Sequence, residues 1–298
     1  MARKRATPPF APRPILFARR RGSHSFSNRP AEATVNKPLL HYPALRRALA
    51  PLLVALAFLL AWQIGFSQAN IPVYLAPKPS DIALTLYDQR DALLGSLLTT
   101  LKVTLLAFLL AAAVGTCIAF LCVQSRVIEA CLMPWAILFQ VTPVVAIAPL
   151  VIIWIHSTTL ALVICAMLVA VFPVLTNTTL GLRSVPPGLL NLFRINQASR
   201  WQVLRHLRIP NAMPYFFSGL RISCGLALIG AVVAEFVAGT GGTGAGLAWQ
   251  ILQAGFQLNL PLMFAALFLI TCTGLALWGL MSLLTRLCLK SWHDSELN

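Results

Sequence analysis

Six blocks of nearly continuous apolar sequence limit what this chain can become. They run over approximately residues 49–66, 97–123, 131–155, 160–180, 215–238 and 261–289. A hydrocarbon layer ~30 Å thick, crossed by a helix rising ~1.5 Å per residue, demands about 20 mostly apolar residues, and the six blocks qualify. Their apolar character is unbroken, which selects spanning helices over the alternating strands of a barrel. Of 298 residues, 58% are hydrophobic and 10% charged, where a soluble domain carries roughly 25% charge. A soluble enzyme is therefore excluded as the default. The expectation is an all-α polytopic membrane protein with six transmembrane helices.

Charge orients those spans, because loops rich in Lys and Arg stay on the cytoplasmic side. Eleven basic residues precede the first span, Arg126 joins the second to the third, and Arg286 and Lys290 follow the last. Five more, Arg183, Arg194, Arg200, Arg205 and Arg208, crowd the fourth-to-fifth connection. The other side holds only Lys78 and Arg90, while Lys102 and Arg221 fall within spans. Both termini are thus expected on the cytoplasmic side of the membrane. The formal charge of +15 is accounted for by this bias and by contact with anionic lipid, without nucleic acid.

Three segments follow. Residues 1–45, rich in Arg, Pro and Ser, read as a disordered basic cytoplasmic tail; 46–290 form the transmembrane domain; 291–298 form a second cytoplasmic tail. The seven cysteines lie in or beside spans without paired spacing and read as small apolar fillers.

Within the domain, the connection over 183–214 holds the most local information. Ser184 before Pro186 and Pro187 has the character of a helix cap, and Leu189, Leu190, Leu192 and Phe193 among polar neighbours make a short amphipathic helix. Ser199 is placed to cap a second helix in which Trp201, Leu204 and Leu207 share a face, and Pro210 is expected to end it. Two such helices beneath a membrane either present a docking surface to a soluble partner or rest on lipid.

In these residues the chain resembles the permeases of binding-protein-dependent ABC importers. The segment Ala198, Ser199, Arg200, Trp201, Gln202 and the ending Leu207, Arg208, Ile209, Pro210 are similar to the cytoplasmic loop motif of that family, closest to its nitrate, sulfonate and taurine branch. Pro214-Tyr215-Phe216, Gly219-Leu220-Arg221-Ile222, Ala234-Glu235-Phe236, and Pro143 through Pro149-Leu150 to Trp154 extend the likeness over 72–289. The stretch from Glu235 to Gly242 is nearer to permeases for thiamine-pyrimidine or riboflavin-like heterocycles. Two positions depart from the pattern: Asn191, Leu192 and Phe193 stand where the family has an acidic triplet, and Gln197 stands where it has Gly. Glycine takes φ > 0 freely, whereas Gln there either accepts a steric cost or turns differently.

The resemblance implies the six-helix fold of MetI-like importer permeases, a second permease copy, two ATPase subunits docked under the loops, and a periplasmic or lipid-anchored solute-binding protein. It implies a coupling role for Asn191, Leu192, Phe193, Gln197, Ala198, Ser199, Arg200, Trp201 and Pro210. The chain contains no G-x-x-x-x-G-K-[ST] phosphate loop, so ATP is expected on the partner and no cofactor on this chain. The implied solute is a small organic molecule or oxyanion.

Glu235, acidic and well inside an apolar block, reads either as a structural bond to a neighbouring helix or as part of the gate or solute path; Arg221, close to the cytoplasmic interface, reads either as a snorkelling side chain that positions the helix or as part of the same path. Gly239, Gly241 and Gly244 satisfy G-x-G-x-x-G, but no βαβ unit surrounds them. With Gly242 and Gly246 they instead predict an external turn leading into a re-entrant or interfacial helix near 247–255. No catalytic constellation or metal-ligand spacing is present. A secondary transporter, or another membrane protein without an ATPase, remains the alternative; inverted repeats or midplane ion-coupling carboxylates would mark the former, and neither is visible.

Overall fold

The computed structural model describes residues 43–69, 71–239 and 244–289, apart from the side chains of 43–48. The expected tails, Lys290, Gly241 and Gly242 lie wholly or almost wholly outside the described residues. The chain divides into two units between Leu53 and Val54; of the first only the opening of one helix is described, and the packing that follows lies within the second.

Every described element is helical: α1 Pro43–Gln68, α2 Pro79–Asp88, α3 Arg90–Gln124, α4 Arg126–Val141, α5 Val144–Trp154, α6 Thr158–Arg183, α7 Pro187–Ile195, α8 Arg200–Val203, α9 Ile209–Ala238, α10 Leu247–Phe256 and α11 Leu260–Leu289. Among the described residues, five helices are long and apolar enough to cross a membrane: Leu49–Gln68, Arg90–Gln124, Thr158–Arg183, Arg200–Ala238 and Leu260–Leu289. The third apolar block is not one straight helix. It breaks into α4 and α5, bent by 101°, and counts as a sixth span only as a bent pair. The break falls at Pro143, whose ring disfavours the α region in the residue before it; Thr142 accordingly takes φ −69°, ψ 123°.

The core is the antiparallel pair α6 and α9, with α3 laid against both. Lipid tails are as apolar as leucine, so spanning helices gain little by hiding hydrophobic surface from them and associate through close packing. The seam shows this directly. A Cβ added at Gly219 would stand 2.9 Å from the Pro173 carbonyl oxygen, and one added at Gly230 would stand 2.9 Å from Ala166 Cα. Ala107, Ala111, Ala166, Ala170, Ala227 and Ala231 are fully buried around the same contact. Polar ties also cross it, Ser223 Oγ donating to the Ala170 carbonyl at 2.7 Å and Asn211 Nδ2 to the Gly181 carbonyl at 3.3 Å. The opposite surfaces of α1, α3 and α11 expose leucine, phenylalanine and tryptophan, as lipid-facing helices must.

Candidate functional site

The connection between α6 and α9 is built from local signals. Ser184 does not start α7; it closes α6, its amide bonding to the Leu180 and Gly181 carbonyls and its hydroxyl to Gly181. A terminal α6 carbonyl needs such a donor, and Ser184 lies too early to serve α7. Pro187 occupies the first turn of α7 behind Pro186, where a missing N–H costs nothing. At the far end of α7, Gln197 takes φ 53°. The Ala198 amide bonds to the Phe193 carbonyl and the Gln197 amide to the Arg194 carbonyl, both at 3.0 Å, the paired bonds of a Schellman turn. Gln197 therefore adopts the glycine-type conformation and bears its steric cost.

Ser199 then starts α8 as expected. Its hydroxyl accepts from the Gln202 amide at 3.2 Å, while Gln202 Oε1 accepts from the Ser199 amide at 2.7 Å, a reciprocal capping box. The expectation for Pro210 fails. The helix does not end there; α8 passes through a π-helical turn, Leu204–Arg208, directly into α9. The Ile209 amide bonds five residues back to the Leu204 carbonyl. That wider turn shifts the bonding register just ahead of Pro210, which sits in the first turn of α9, where a proline is tolerated. Arg200–Ala238 is thus one continuous helix of 39 residues.

This continuity sorts the predicted residues. Leu204 and Leu207 are buried, Leu204 packing with Leu182 and Ala212, but Trp201 is 64% exposed and does not share their environment. Leu189, Leu192 and Ile195 of α7 are also exposed, Ile195 at 79%. The base of the connection is fastened: Arg183 pairs with Glu129 and donates to the Cys122 carbonyl at 3.2 Å, and Asn211 Nδ2 donates to Ser184 Oγ at 2.8 Å. Two clefts flank the tip. One, of 460 Å³, is lined by Val123, Gln124, Leu190, Arg194, Arg200 and Arg208 among others, and none of these guanidiniums has an acidic partner among the described residues. The other, of 480 Å³, is lined by Leu192, Phe193, Asn196, Gln202 and His206, with Ala198 reaching both clefts. Asn191 is exposed on α7. The arrangement is a basic, partly apolar protrusion on a fixed base.

At the opposite end of α9, Glu235 is 3% exposed. Its Oε2 accepts from Thr100 Oγ1 at 3.0 Å and from the Ala248 amide at 3.2 Å, and Thr100 Oγ1 in turn accepts from the Leu247 amide at 2.9 Å. The predicted helix after the glycine turn is present as α10, and these bonds hold its first turn. Arg221 lies half-buried in α9, its Nε without a partner among the described residues. Fourteen positions apart along α9, it stands roughly 21 Å from Glu235 at ~1.5 Å per residue, so the two do not form one site. Among the described residues no three His, Cys, Asp or Glu side chains gather to hold a metal. Sequence reasoning missed Thr100 and the Glu129–Arg183 pair, and took Gly246 as a turn residue without its close approach to Glu235. The only hint of Thr100 was a hydroxyl inside an apolar block.

Comparison with known proteins bears on both ends. Residues 105–289 match the family model described as binding-protein-dependent transport system inner membrane component. A probable ABC transporter permease protein of Haemophilus influenzae is 34% identical over 78% of this chain and 93% of its own length. A riboflavin transport system permease protein of Chloroflexus aurantiacus is 34% identical over 80% and 87%. A formylaminopyrimidine transport permease protein of Halalkalibacterium halodurans is 29% identical over 77% and 90%. An amino acid ABC transporter crystallised with histidines has the same fold, with a TM-score of 0.59 at 19% identity, covering 68% of this chain and 97% of that one.

Proposed function

The chain belongs to the family of binding-protein-dependent transport system inner membrane components, as the permease subunit of an ABC importer whose ATPase is a separate subunit, and on that premise we propose that the 183–214 connection is the surface on which the ATPase docks. One observation supports this most: α7 and the start of α8 expose Leu192, Ile195, Trp201, Arg194 and Arg200 while Leu204 and Leu207 beneath them are buried. A protrusion with a fixed base and unpartnered apolar and basic residues at its tip suits transmission of force from a soluble subunit. In this reading the functional unit is two permease copies over two ATPase subunits, with ATP held by the ATPases. Both termini and the connection face the cytoplasm, and a periplasmic or lipid-anchored binding protein delivers solute to the other side. ATP drives the change only through its greater affinity for the closed ATPase pair.

Two relatives named for riboflavin and formylaminopyrimidine transport support a small heterocyclic solute over nitrate or a sulfonate. The expected result is that removing residues 191–210 abolishes co-purification of the cognate ATPase while membrane insertion persists. Persistent co-purification would move the contact elsewhere and favour helices resting on lipid. Uphill uptake by the isolated chain in vesicles would overturn the importer reading. Vesicles holding the complete transporter are expected to take up labelled riboflavin or a pyrimidine in preference to nitrate or taurine.

A further inference from the structure

Glu235, Thr100 and the first turn of α10 form a polar cluster that the docking function does not use. The carboxylate comes from α9, the hydroxyl from α3, and the two amides from Leu247 and Ala248 of α10. Thr100 and Glu235 are 0% and 3% exposed, and α3, 135 residues away along the chain, meets α9 and α10 at Glu235 Oε2 and Thr100 Oγ1. Gly246 completes the fit: a Cβ there would stand 2.2 Å from the Glu235 carboxyl carbon, so α10 approaches only because that residue is glycine. A fourth bond runs alongside, Gln250 Nε2 donating to Ser96 Oγ at 3.0 Å, and fixes the second turn of α10 on α3. Acceptance by the Glu235 carboxylate from the Ala248 amide, in the opening turn of α10, is favourable, since the helix dipole places positive potential there.

The cluster does more than fill space. A buried carboxylate is costly relative to an apolar side chain of the same volume, and the core beside it is packed by apolar side chains such as Val103, Ala107, Ala231 and Ala234. Packing alone would be served by another apolar residue. A carboxyl group bonded to a hydroxyl and a backbone amide instead gives a contact with two discrete states, made or broken, in place of a continuously deformable one.

We propose that Glu235 is a gate-positioning residue: with Thr100 it latches α10 onto the ends of α3 and α9 remote from the docking connection, holding that end of the solute path closed at rest, and the latch opens during turnover. This rests on the importer reading. Because ATP-driven opening at that end and ATPase closure are linked, weakening the latch shifts the resting population toward the state that hydrolyses ATP.

The test uses the permease assembled with its cognate ATPase and binding protein in lipid nanodiscs, with Mg·ATP as the probe. Thr100→Val keeps shape and removes the hydroxyl; Glu235→Ala removes the carboxylate; Glu235→Gln keeps an acceptor oxygen. The expected result is a roughly fivefold rise in ATPase activity without binding protein for Thr100→Val and Glu235→Ala, the population shift of about one net hydrogen bond, with Glu235→Gln near wild type. A merely structural role would lower assembly and activity together and raise nothing. If both variants assemble and keep the wild-type ratio of activity without to activity with binding protein, the latch is wrong and the importer stands. If the wild-type complex shows no ATP-driven uptake, the importer reading and the latch fall together.

Discussion

At the scale of single residues, the turn after α7 shows how local chemistry fixes a functional shape. Gln197 holds φ 53°, a region that costs an L-residue about 1 kcal/mol or more and glycine little. Gln197→Gly is expected to stabilise the turn by about 1 kcal/mol, read as slower hydrogen exchange at the Gln197 and Ala198 amides. Ser199→Ala is expected to cost about 1 kcal/mol by removing one half of the capping box, read as faster exchange over the start of α8. Both positions were legible beforehand because their partners are near neighbours. Glu235 was legible as an anomaly but not as a contact. Its hydroxyl partner lies 135 residues away, and nothing local to Glu235 distinguishes Thr100 from Thr99 or Thr104. Ser184 misled for a related reason: a hydroxyl can close one helix as readily as it opens the next, and only the bonding register decides.

Among the elements, proline is the recurrent difficulty. Pro143 breaks the third span, yet Pro134 and Pro149 lie inside α4 and α5 without ending either. Pro210 sits in the first turn of a helix that the sequence alone would end there. Composition marks where a helix is weak, while surrounding packing and a compensating turn decide whether it stops. The π-helical turn Leu204–Arg208 supplies that compensation and predicts a consequence. Deleting Arg205 would restore the four-residue bonding pattern and rotate Arg200 and Trp201 by about 100° around the axis relative to α9. Insertion and folding of α9 should persist, while ATP-dependent uptake falls at least tenfold, as measured in vesicles. The α6–α9 seam is less forgiving. Gly219→Leu would drive a side chain into the Pro173 carbonyl and Asn177, with an expected loss of about 2–3 kcal/mol read as a lower midpoint of thermal unfolding in detergent.

For the molecule as a whole, the six apolar blocks were visible without a structure because the bilayer imposes one length on every span. Charge adds a prediction at the same scale. The arginines facing the 460 Å³ cleft have no acidic partner among the described residues, so the docking partner is expected to present carboxylates there. Replacing Arg194 and Arg200 together by Glu should weaken ATPase association more than tenfold, and raising salt should weaken the wild-type association in the same direction, both measured by binding in nanodiscs. What no composition reveals is that Arg200 and Arg208 of this cleft and the buried Glu235 belong to a single uninterrupted helix. At ~1.5 Å per residue, 39 residues make a rod of roughly 58 Å. Pivoting near its middle by about 10° would swing each extremity through some 5 Å in opposite directions. Squeezing one face of the membrane protein would then pry at the other, with no chain of intermediate signals between them.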